Sequence, residues 1–227
     1  MKRLFAASLV AASLAAPAAA ATFTFDFESG TPAEFTGEGF TAPAGAMAGY
    51  NGFAGNFWIN NAFANQATNI ALSGLAAHDQ VSLSFGLALI DSWDGQNGAP
   101  APDYFSIYEG NNELFRISVG NASGGNSELI PASATNRSQP GNVVYTYWPD
   151  SIFDVAFSFA HSGSTLGLSL FAHGAGWQGS SDESWGIDNL VITTREVNQP
   201  APVPLPAGLP LLLAGLGALG VMKRRKG

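Results

Sequence analysis

The fold class is decided most clearly by residues 81–89, which read VSLSFGLAL. Large apolar side chains occupy every second position from Val81 to Leu89, and smaller residues stand between them. Successive side chains of a β-strand point to opposite faces, so this period of two predicts a strand with one face in a core.

Segments of the same character recur between residues 22 and 197. Phe23, Phe25 and Phe27 alternate with polar residues, and the sequence EGNN at 109–112 predicts the turn of a hairpin. Besides 81–89, the predicted strands cover residues 23–27, 105–107, 114–119, 143–148, 155–159, 166–172 and 187–193. We therefore expect eight or nine clear strands in this part of the chain.

Two segments lack this alternation. Residues 31–69 are rich in Gly, Ala and Asn but also carry seven aromatic residues, which predicts short strands and long surface loops laid over the main fold. Residues 121–139 predict a flexible loop. Away from the two ends of the chain no helical period is evident. The sequence thus predicts an all-β domain over 22–197, a two-sheet antiparallel β-sandwich of jelly-roll type.

The charge distribution limits the classes of partner. The chain has 227 residues and no cysteine, which excludes a disulfide framework and a thiolate metal site. Six of the nine basic residues lie at the ends, so residues 22–197 hold 17 acidic residues against three arginines, a net charge of −14. A nucleic-acid partner is not expected, because such binding needs basic groups. Divalent cations and neutral polysaccharides are compatible with this charge.

The N-terminal residues 1–21 have the three zones of a secretory signal peptide. Lys2 and Arg3 form the basic zone, residues 4–14 are apolar, and residues 15–21 are small. The mature chain is expected to begin near Ala21 or Thr22. The alternative is a permanent N-terminal anchor, although the apolar zone is short for a bilayer.

The C-terminal end predicts a membrane helix. A Pro-rich linker, 198–204, leads into 18 uncharged residues, 205–222, which would form a helix about 27 Å long. Residues 223–226 read KRRK and should stay in the cytoplasm, which places the body on the outer side of the membrane. The domain boundaries are therefore 1–21, 22–197, 198–204 and 205–227.

The end of the chain also carries a recognisable motif. Val203, Pro204, Leu205, Pro206 and Ala207, followed by the apolar helix and the basic terminus, resemble the VPLPA variant of PEP-CTERM sorting tails of Gram-negative bacteria. The resemblance implies an exosortase-type processing enzyme as partner, and a link to the cell surface, exopolysaccharide or biofilm matrix. The alternative is a simple tail anchor that is never cut.

A first candidate metal site joins the two ends of the body. Asp26-Phe27-Glu28-Ser29-Gly30 and the segment 185–192, WGIDNLVI, resemble the FExG turn and the Asp-Asn strand of carbohydrate-binding and MAM-like jelly rolls. That resemblance implies a buried Ca²⁺, with Glu28 and Asp188 as the leading ligands, and Asp26 and Asn189 as further ones. The alternative is that Asp188 caps a turn and Glu28 is solvated.

A second candidate metal site follows the strand 81–89. Asp91, Asp94 and Asp103 place three carboxylates in one glycine-containing loop, and a cation between them would relieve their repulsion. The alternative is a solvated acidic loop with Trp93 packed over it. The sequence alone does not separate the two acidic loops as calcium sites.

Aromatic residues in loops suggest a sugar-stacking platform. The candidates are Trp58, Trp93, Trp177 and Tyr104, because sugar C–H faces stack on aromatic rings. The alternative is that the tryptophans pack in the core of the sandwich.

Catalysis has little support in the sequence. His78, His161 and His173 are far apart without a metal-binding spacing, and no Gly-x-Ser-x-Gly elbow is present. We expect an exported, non-enzymatic β-sandwich, stabilised by calcium and able to bind polysaccharide. The alternatives are a purely structural or adhesive matrix protein without a small ligand and, less favoured, a glycan-active hydrolase.

Overall fold

The computed structural model describes residues 20–97, 100–121, 127–142, 144 and 148–197. The expected signal peptide lies outside the described residues except for Ala20 and Ala21, and the linker, the sorting motif 203–207 and the apolar tail lie wholly outside them. Across the part of the chain that is described, no helix has the length and hydropathy needed to cross a membrane.

The described residues form an all-β structure with one 3-10 turn, Gly45–Met47. The strands are β1 Thr22–Phe25, β2 Phe35–Gly37, β3 Phe40–Pro43, β4 Asn56–Asn60, β5 Thr68–Ser73, β6 His78–Asp91, β7 Tyr104–Glu109, β8 Asn112–Ile117, β9 Ala134–Gly141, β10 Asp150–Ala160, β11 Thr165–His173 and β12 Glu183–Glu196.

The strands build two antiparallel sheets, as the sequence predicts. The seven-stranded sheet has the order β3-β4-β12-β6-β10-β9, with β1 also paired to β12, and the five-stranded sheet has the order β2-β5-β11-β7-β8. The chain crosses repeatedly between the sheets, because β4, β6, β10 and β12 belong to one and β5, β7, β8 and β11 to the other. Crossovers of this kind are characteristic of Greek-key sandwiches.

The main core lies between the two sheets. The alternating residues Leu83, Phe85 and Leu87 of β6 join it from one side, and Phe105 and Ile107 of β7 from the other. Aromatic pairs connect the sheets directly: the ring centroids of Phe105 and Trp185 are 4.7 Å apart, those of Phe115 and Phe157 5.7 Å, and those of Phe35 and Trp58 5.2 Å. The predicted burial of one face of residues 81–89 is confirmed.

A second, smaller core covers the outer face of the seven-stranded sheet. It consists of Ala44, Met47, Phe53, Phe57, Ile59, Ala88, Ile90 and Ile152. The second half of β6 is therefore buried on both faces. Gly86 has no room for a side chain, because a Cβ there would lie 2.8 Å from the Asn51 carbonyl oxygen and 2.9 Å from the Phe53 ring.

Strand β12 is the central member of the larger sheet. It pairs with β6 along its length, with β4 through residues 185–187, and with β1 through residues 190–193. The register against β6 shifts between Asp188 and Val191, and Asn189 in that irregularity has a φ of +51°.

Two predicted segments differ from the structure, and a third is described only in part. Residues 31–69 belong to the sandwich more than predicted, because the predicted short strands β2, β3, β4 and part of β5 are paired within its sheets, while the loop with Ala44, Met47 and Phe53 does cover the outer face. The predicted loop 121–139 contains the start of β9, which pairs with β10. Of the predicted strand 143–148, only Val144 and Trp148 are described, and both lie in bends.

Candidate functional site

Three carboxylates meet at one end of the sandwich and form what is called here the acidic cluster: Asp94, Asp103 and Glu183. One oxygen from each lies within 4.8 Å of the others. Asp94 follows β6, Asp103 immediately precedes β7, and Glu183 begins β12. Asp103 and Glu183 are both 0% exposed, which is rare for carboxylates without a partner charge.

Two carboxylate oxygens of the cluster accept no hydrogen bond from the rest of the protein. Asp103 Oδ2 accepts the backbone N–H of Asp94 at 2.7 Å, and Glu183 Oε2 accepts the backbone N–H of Gln178 at 2.5 Å. When both carboxyls are ionised, the remaining oxygens, Asp103 Oδ1 and Glu183 Oε1, are buried without a hydrogen-bond donor. A buried acceptor without a donor is costly, so the site requires either a proton or a cation.

The pKa values point in the same direction. Burial raises the pKa of Glu183 to about 9 and that of Asp103 to about 6, and the neighbouring carboxylates add to the effect. Burial and the charge of Asp182 also raise the pKa of Asp94. Without a cation, Glu183 therefore holds a proton at neutral pH and donates it toward Asp103. An ion at the cluster has to displace that proton.

Glycines allow the surrounding loops to close on the cluster. A Cβ at Gly176 would lie 2.8 Å from Asp103 Oδ1, and a Cβ at Gly174, where φ is +134°, would lie 1.8 Å from the Pro102 carbonyl oxygen. The Gly176 N–H donates to that same carbonyl at 3.2 Å. The loop after β11 is thus held against the loop before β7.

The cluster differs in one member from the loop predicted by the sequence. The structure brings Asp94 and Asp103 together, but their third partner is Glu183 and not Asp91. Asp91 ends β6 with a φ of +66°, is 1% exposed, and donates its N–H to Asp150 at 2.9 Å. Glu183 reaches the cluster because it is paired with Asp91 across β6 and β12. The sequence gives no sign of this pairing.

The other predicted calcium loop lies on the outer side of β12. Asp188 accepts the N–H groups of Ala54 at 3.0 Å and of Asn189 at 2.7 Å, and Glu28 accepts that of Asn56 at 3.1 Å. These bonds tie the loop 51–56 to the sheet.

Further contacts complete this second loop. Asp26 accepts the N–H of Glu28 at 3.2 Å, and the Asn189 side chain donates to the Gly52 carbonyl at 2.7 Å. Burial, followed by the charges of Glu28 and Asp26, raises the pKa of Asp188 to about 6. Among the described residues, however, only the acidic cluster brings three metal-binding side chains within 4.8 Å.

The predicted tryptophan platform faces the core. Trp58 is 2% exposed, Trp93 is 0% and Trp177 is 8%, so their rings have no free face for a sugar. Each indole N–H is also satisfied inside the protein: by Thr68 Oγ1 at 2.9 Å, the Ser184 carbonyl at 2.9 Å and the Ala62 carbonyl at 3.0 Å, respectively. This part of the prediction is wrong, and the alternative of core packing is correct for these residues.

Tyr104 belongs to a different group of aromatic side chains, called here the aromatic ladder: Tyr104, His173, Phe171 and Tyr108. Successive ring centroids along it are 5.4, 5.3 and 5.4 Å apart. All four side chains are half-buried and lie on the face of the five-stranded sheet turned away from the core. From Tyr104 to Tyr108 the ladder follows β7 for about 13 Å.

Polar groups border the ladder. The Arg116 guanidinium lies 5.1 Å from the centre of the Tyr104 ring and forms an ion pair with Glu113. The Tyr108 hydroxyl donates to Glu113 at 2.6 Å, and Ser106 Oγ lies 3.0 Å from His173 Nε2. Burial, with the charge of Arg116, lowers the pKa of His173, which keeps its ring neutral at pH 7.

The ladder was missed although the sequence contains its signal. In β7, Tyr104, Ser106 and Tyr108 alternate with the core residues Phe105 and Ile107. In β11, residues 169, 171 and 173 alternate in the same way with core residues. Outward aromatic side chains on two strands are unusual for a solvated surface, and the sequence shows them. The sequence does not show that these strands are neighbours, which follows only from the pairing of β7 with β11.

Two of the three histidines are not isolated, contrary to the prediction. His78 Nε2 lies 2.7 Å from His161 Nδ1, and their rings stack. His78 Nδ1 faces the Ala76 carbonyl at 2.6 Å, and His161 Nε2 faces the Thr165 carbonyl at 3.1 Å and the Glu109 carboxylate at 3.3 Å.

Comparisons with known proteins give weak similarities. No protein-family model matches the chain, and a search of curated proteins found no match. The CBM22-1 xylan-binding domain of Paenibacillus barcinonensis Xyn10C matches with 14% identity and a TM-score of 0.39, over 81% of this chain and 99% of that one. The K2 cleaved adhesin domain of Lys-gingipain matches with 14% identity and a TM-score of 0.45, over 77% of this chain and 98% of that one.

A catalytic domain is also among the similar structures. That of a GH87 alpha-1,3-glucanase matches with 13% identity and a TM-score of 0.35, and the match covers 82% of this chain but 30% of that one. Because these TM-scores are below 0.5 and the identities below 25%, the similarities assign neither a family nor an activity to the chain.

Proposed function

We propose that this protein is an exported, non-enzymatic β-sandwich of jelly-roll type that binds a neutral polysaccharide through the aromatic ladder and calcium through the acidic cluster. The observation that carries the proposal is the ladder, with four contacting rings on the outward face of one sheet. Flat apolar ring faces match the C–H faces of sugars, while nearby polar groups orient the hydroxyls.

The charges around the ladder favour a neutral ligand. Arg116, whose guanidinium lies over the Tyr104 ring, is already paired with Glu113, and the lowered pKa of His173 favours its neutral form. The body as a whole carries 17 acidic residues against three arginines, which repels a polyanion. A neutral glycan avoids this repulsion and still gains the ring contacts.

The acidic cluster is the better supported of the two calcium loops. Asp94, Asp103 and Glu183 would hold the ion, and carboxylate oxygens are the donors that Ca²⁺ prefers. One oxygen each of Asp103 and Glu183 lacks a donor when ionised, whereas both oxygens of Asp188 and of Glu28 already accept N–H groups. When bound, the ion would supply positive charge to a buried, acidic site and so stabilise the folded state.

A non-enzymatic role fits the burial of the close carboxylates. A pair about 5 Å apart with one raised pKa is also what a retaining glycosidase uses, but such a pair must reach the glycosidic bond. Asp103 and Glu183 are 0% exposed, so a polysaccharide cannot contact them in this structure.

The location of the protein is proposed from its two ends. The signal-like segment 1–21 and the apolar segment 205–222 before KRRK support export with the body on the outer side of the membrane. Through its resemblance to VPLPA-type tails, the chain would be processed by an exosortase-type enzyme and displayed on the cell surface or released into the exopolysaccharide matrix.

Affinity gel electrophoresis of the full-length protein tests the glycan proposal. Gels containing a neutral β-1,4-xylan or a neutral β-1,4-glucan should retard the protein, whereas a gel with polyanionic alginate should not. The double variant Tyr104→Ala/Tyr108→Ala should lose the retardation. Phe63→Ala, which removes an aromatic ring that is 67% exposed in another loop, is the matched control and should keep it. Normal migration in every neutral gel would instead favour the adhesive alternative.

A further inference from the structure

The acidic cluster and the aromatic ladder share a stretch of backbone. Asp103, a member of the cluster, is followed directly by Tyr104, which begins β7 and the ladder. Their Cα atoms are about 3.8 Å apart across one rigid peptide unit. A change in the position of the Asp103 backbone therefore moves the first ring of the ladder.

The second ring is connected to the cluster from the other side. His173 ends β11 opposite Tyr104, and the chain then runs through Gly174 and Gly176 to Gln178. The Gly176 N–H donates to the carbonyl of Pro102, next to Asp103, and the Gln178 N–H donates to Glu183. The loop that follows His173 is thus attached to two points at the cluster.

We infer that a divalent cation at the acidic cluster fixes the Tyr104–His173 end of the aromatic ladder, so that cation occupancy regulates the affinity for polysaccharide. This inference rests on the proposed function and deepens it. It assigns to the ion a role in ligand binding in addition to a role in stability.

The physical basis is that one cation can hold three converging carboxylates, whereas a proton can bridge only two. Without an ion, the charges of Asp94 and Asp103 repel each other, and the hydrogen bond of Glu183 reaches only Asp103. With an ion, the same oxygens attract one centre, and the buried acceptors of Asp103 and Glu183 gain a partner. The two rings then need less ordering when the sugar binds, which strengthens binding.

The expected effect is reciprocal. When two ligands bind coupled sites, each typically changes the affinity for the other by about 5-fold to 150-fold. The factor must be the same in both directions. Calcium should therefore strengthen xylan binding by about 5-fold or more. Xylan should strengthen Ca²⁺ binding by the same factor.

The test uses the full-length protein with Ca²⁺ and the β-1,4-xylan as probes. Calorimetry gives the Ca²⁺ affinity with and without xylan, and affinity electrophoresis gives the xylan affinity with Ca²⁺ or with chelator. Hydrogen exchange at the amides of residues 104–106 and 171–173 reports the ordering of the ladder end without any glycan. Asp94→Asn, at the half-buried member of the cluster, should abolish the calcium effects, and Glu38→Gln, an exposed acid elsewhere, should preserve them.

The outcomes separate the inference from the proposed function. Calcium-dependent xylan binding together with calcium-dependent protection at residues 104–106 would support both. Xylan binding and amide protection that are the same with calcium and with chelator would overturn the inference but leave glycan binding intact. If xylan does not bind, the proposed function fails, and the exchange data alone decide whether the ion orders the ladder end. A full-length protein that binds no Ca²⁺ would overturn the inference directly.

Discussion

The calcium binding proposed for the acidic cluster should depend steeply on pH. Burial raises the pKa of Glu183 to about 9, and a cation requires the ionised carboxylate, so binding at neutral pH releases one proton. Each pH unit below that pKa costs about 1.4 kcal/mol of ionisation, which is a factor of ten in affinity. Between pH 6.5 and 8.5, the Ca²⁺ affinity should therefore rise by about 100-fold. Below pH 6, protonation of Asp103, whose pKa is raised to about 6, steepens the dependence further.

The stability of the metal-free protein should change in the opposite direction. The folded-state pKa of Glu183 is raised above its ordinary value of 4.5, so the folded protein binds the proton more tightly than the unfolded chain. This contribution to stability is fully present below pH 4.5 and is lost as the pH rises through about 9. A chelated sample should thus melt at a lower temperature at pH 8 than at pH 6, and saturating calcium should remove much of that loss.

Isothermal titration calorimetry of the full-length protein provides the measurement. Titrations in two buffers with different ionisation enthalpies count the protons that are released, and we expect about one per Ca²⁺ at pH 7. Glu183→Gln should bind calcium weakly and with no proton release. An affinity that is constant from pH 6.5 to 8.5, or binding without proton release in the unaltered protein, would contradict the assignment of Glu183 as a ligand.

Two further predictions address the ladder and the core. Tyr108→Ala should weaken xylan binding by about fivefold to tenfold in affinity electrophoresis, and unchanged retardation would exclude this ring from the site. Trp185→Ala removes a 0% exposed ring and should cost about 3–5 kcal/mol in urea denaturation, so a loss below about 1 kcal/mol would contradict its place in the core.

The strands in which large apolar residues alternate with small or polar residues were the predictable part of the fold. Alternation identified β6 and β11, and the EGNN turn identified the β7–β8 hairpin, where Gly110 has a φ of +56°. β4 was not predicted as a paired strand because Phe57, Trp58 and Ile59 are apolar in succession. They face two different cores, since the loop around Met47 covers the outer side of the sheet. Alternation is lost from the sequence where both faces of a strand carry large apolar side chains.

The candidate site was predictable only where its residues are close in sequence. Asp94 and Asp103 belong to one loop, whereas Glu183 arrives from β12 through pairing that spans about half of the body. The tryptophans show the converse error, because composition reveals an aromatic residue but not which way it faces. Tyr104 was predicted as a loop residue but begins β7, and its neighbours in the ladder are identified only by the pairing of β7 with β11.

The position of β12 has a consequence for how the chain reaches its native state. This strand lies between β6 on one side and β4 and β1 on the other, yet it comes last among the described strands. Ribosomes synthesise the N-terminal part first, so β1 waits for a partner more than 160 residues later, with Thr22 opposite Thr193. Contacts this distant in sequence slow folding. Until residues 183–196 emerge, the larger sheet remains in three unjoined parts, β1, β3-β4 and β6-β10-β9, so a nascent chain that stops before them cannot complete this sheet.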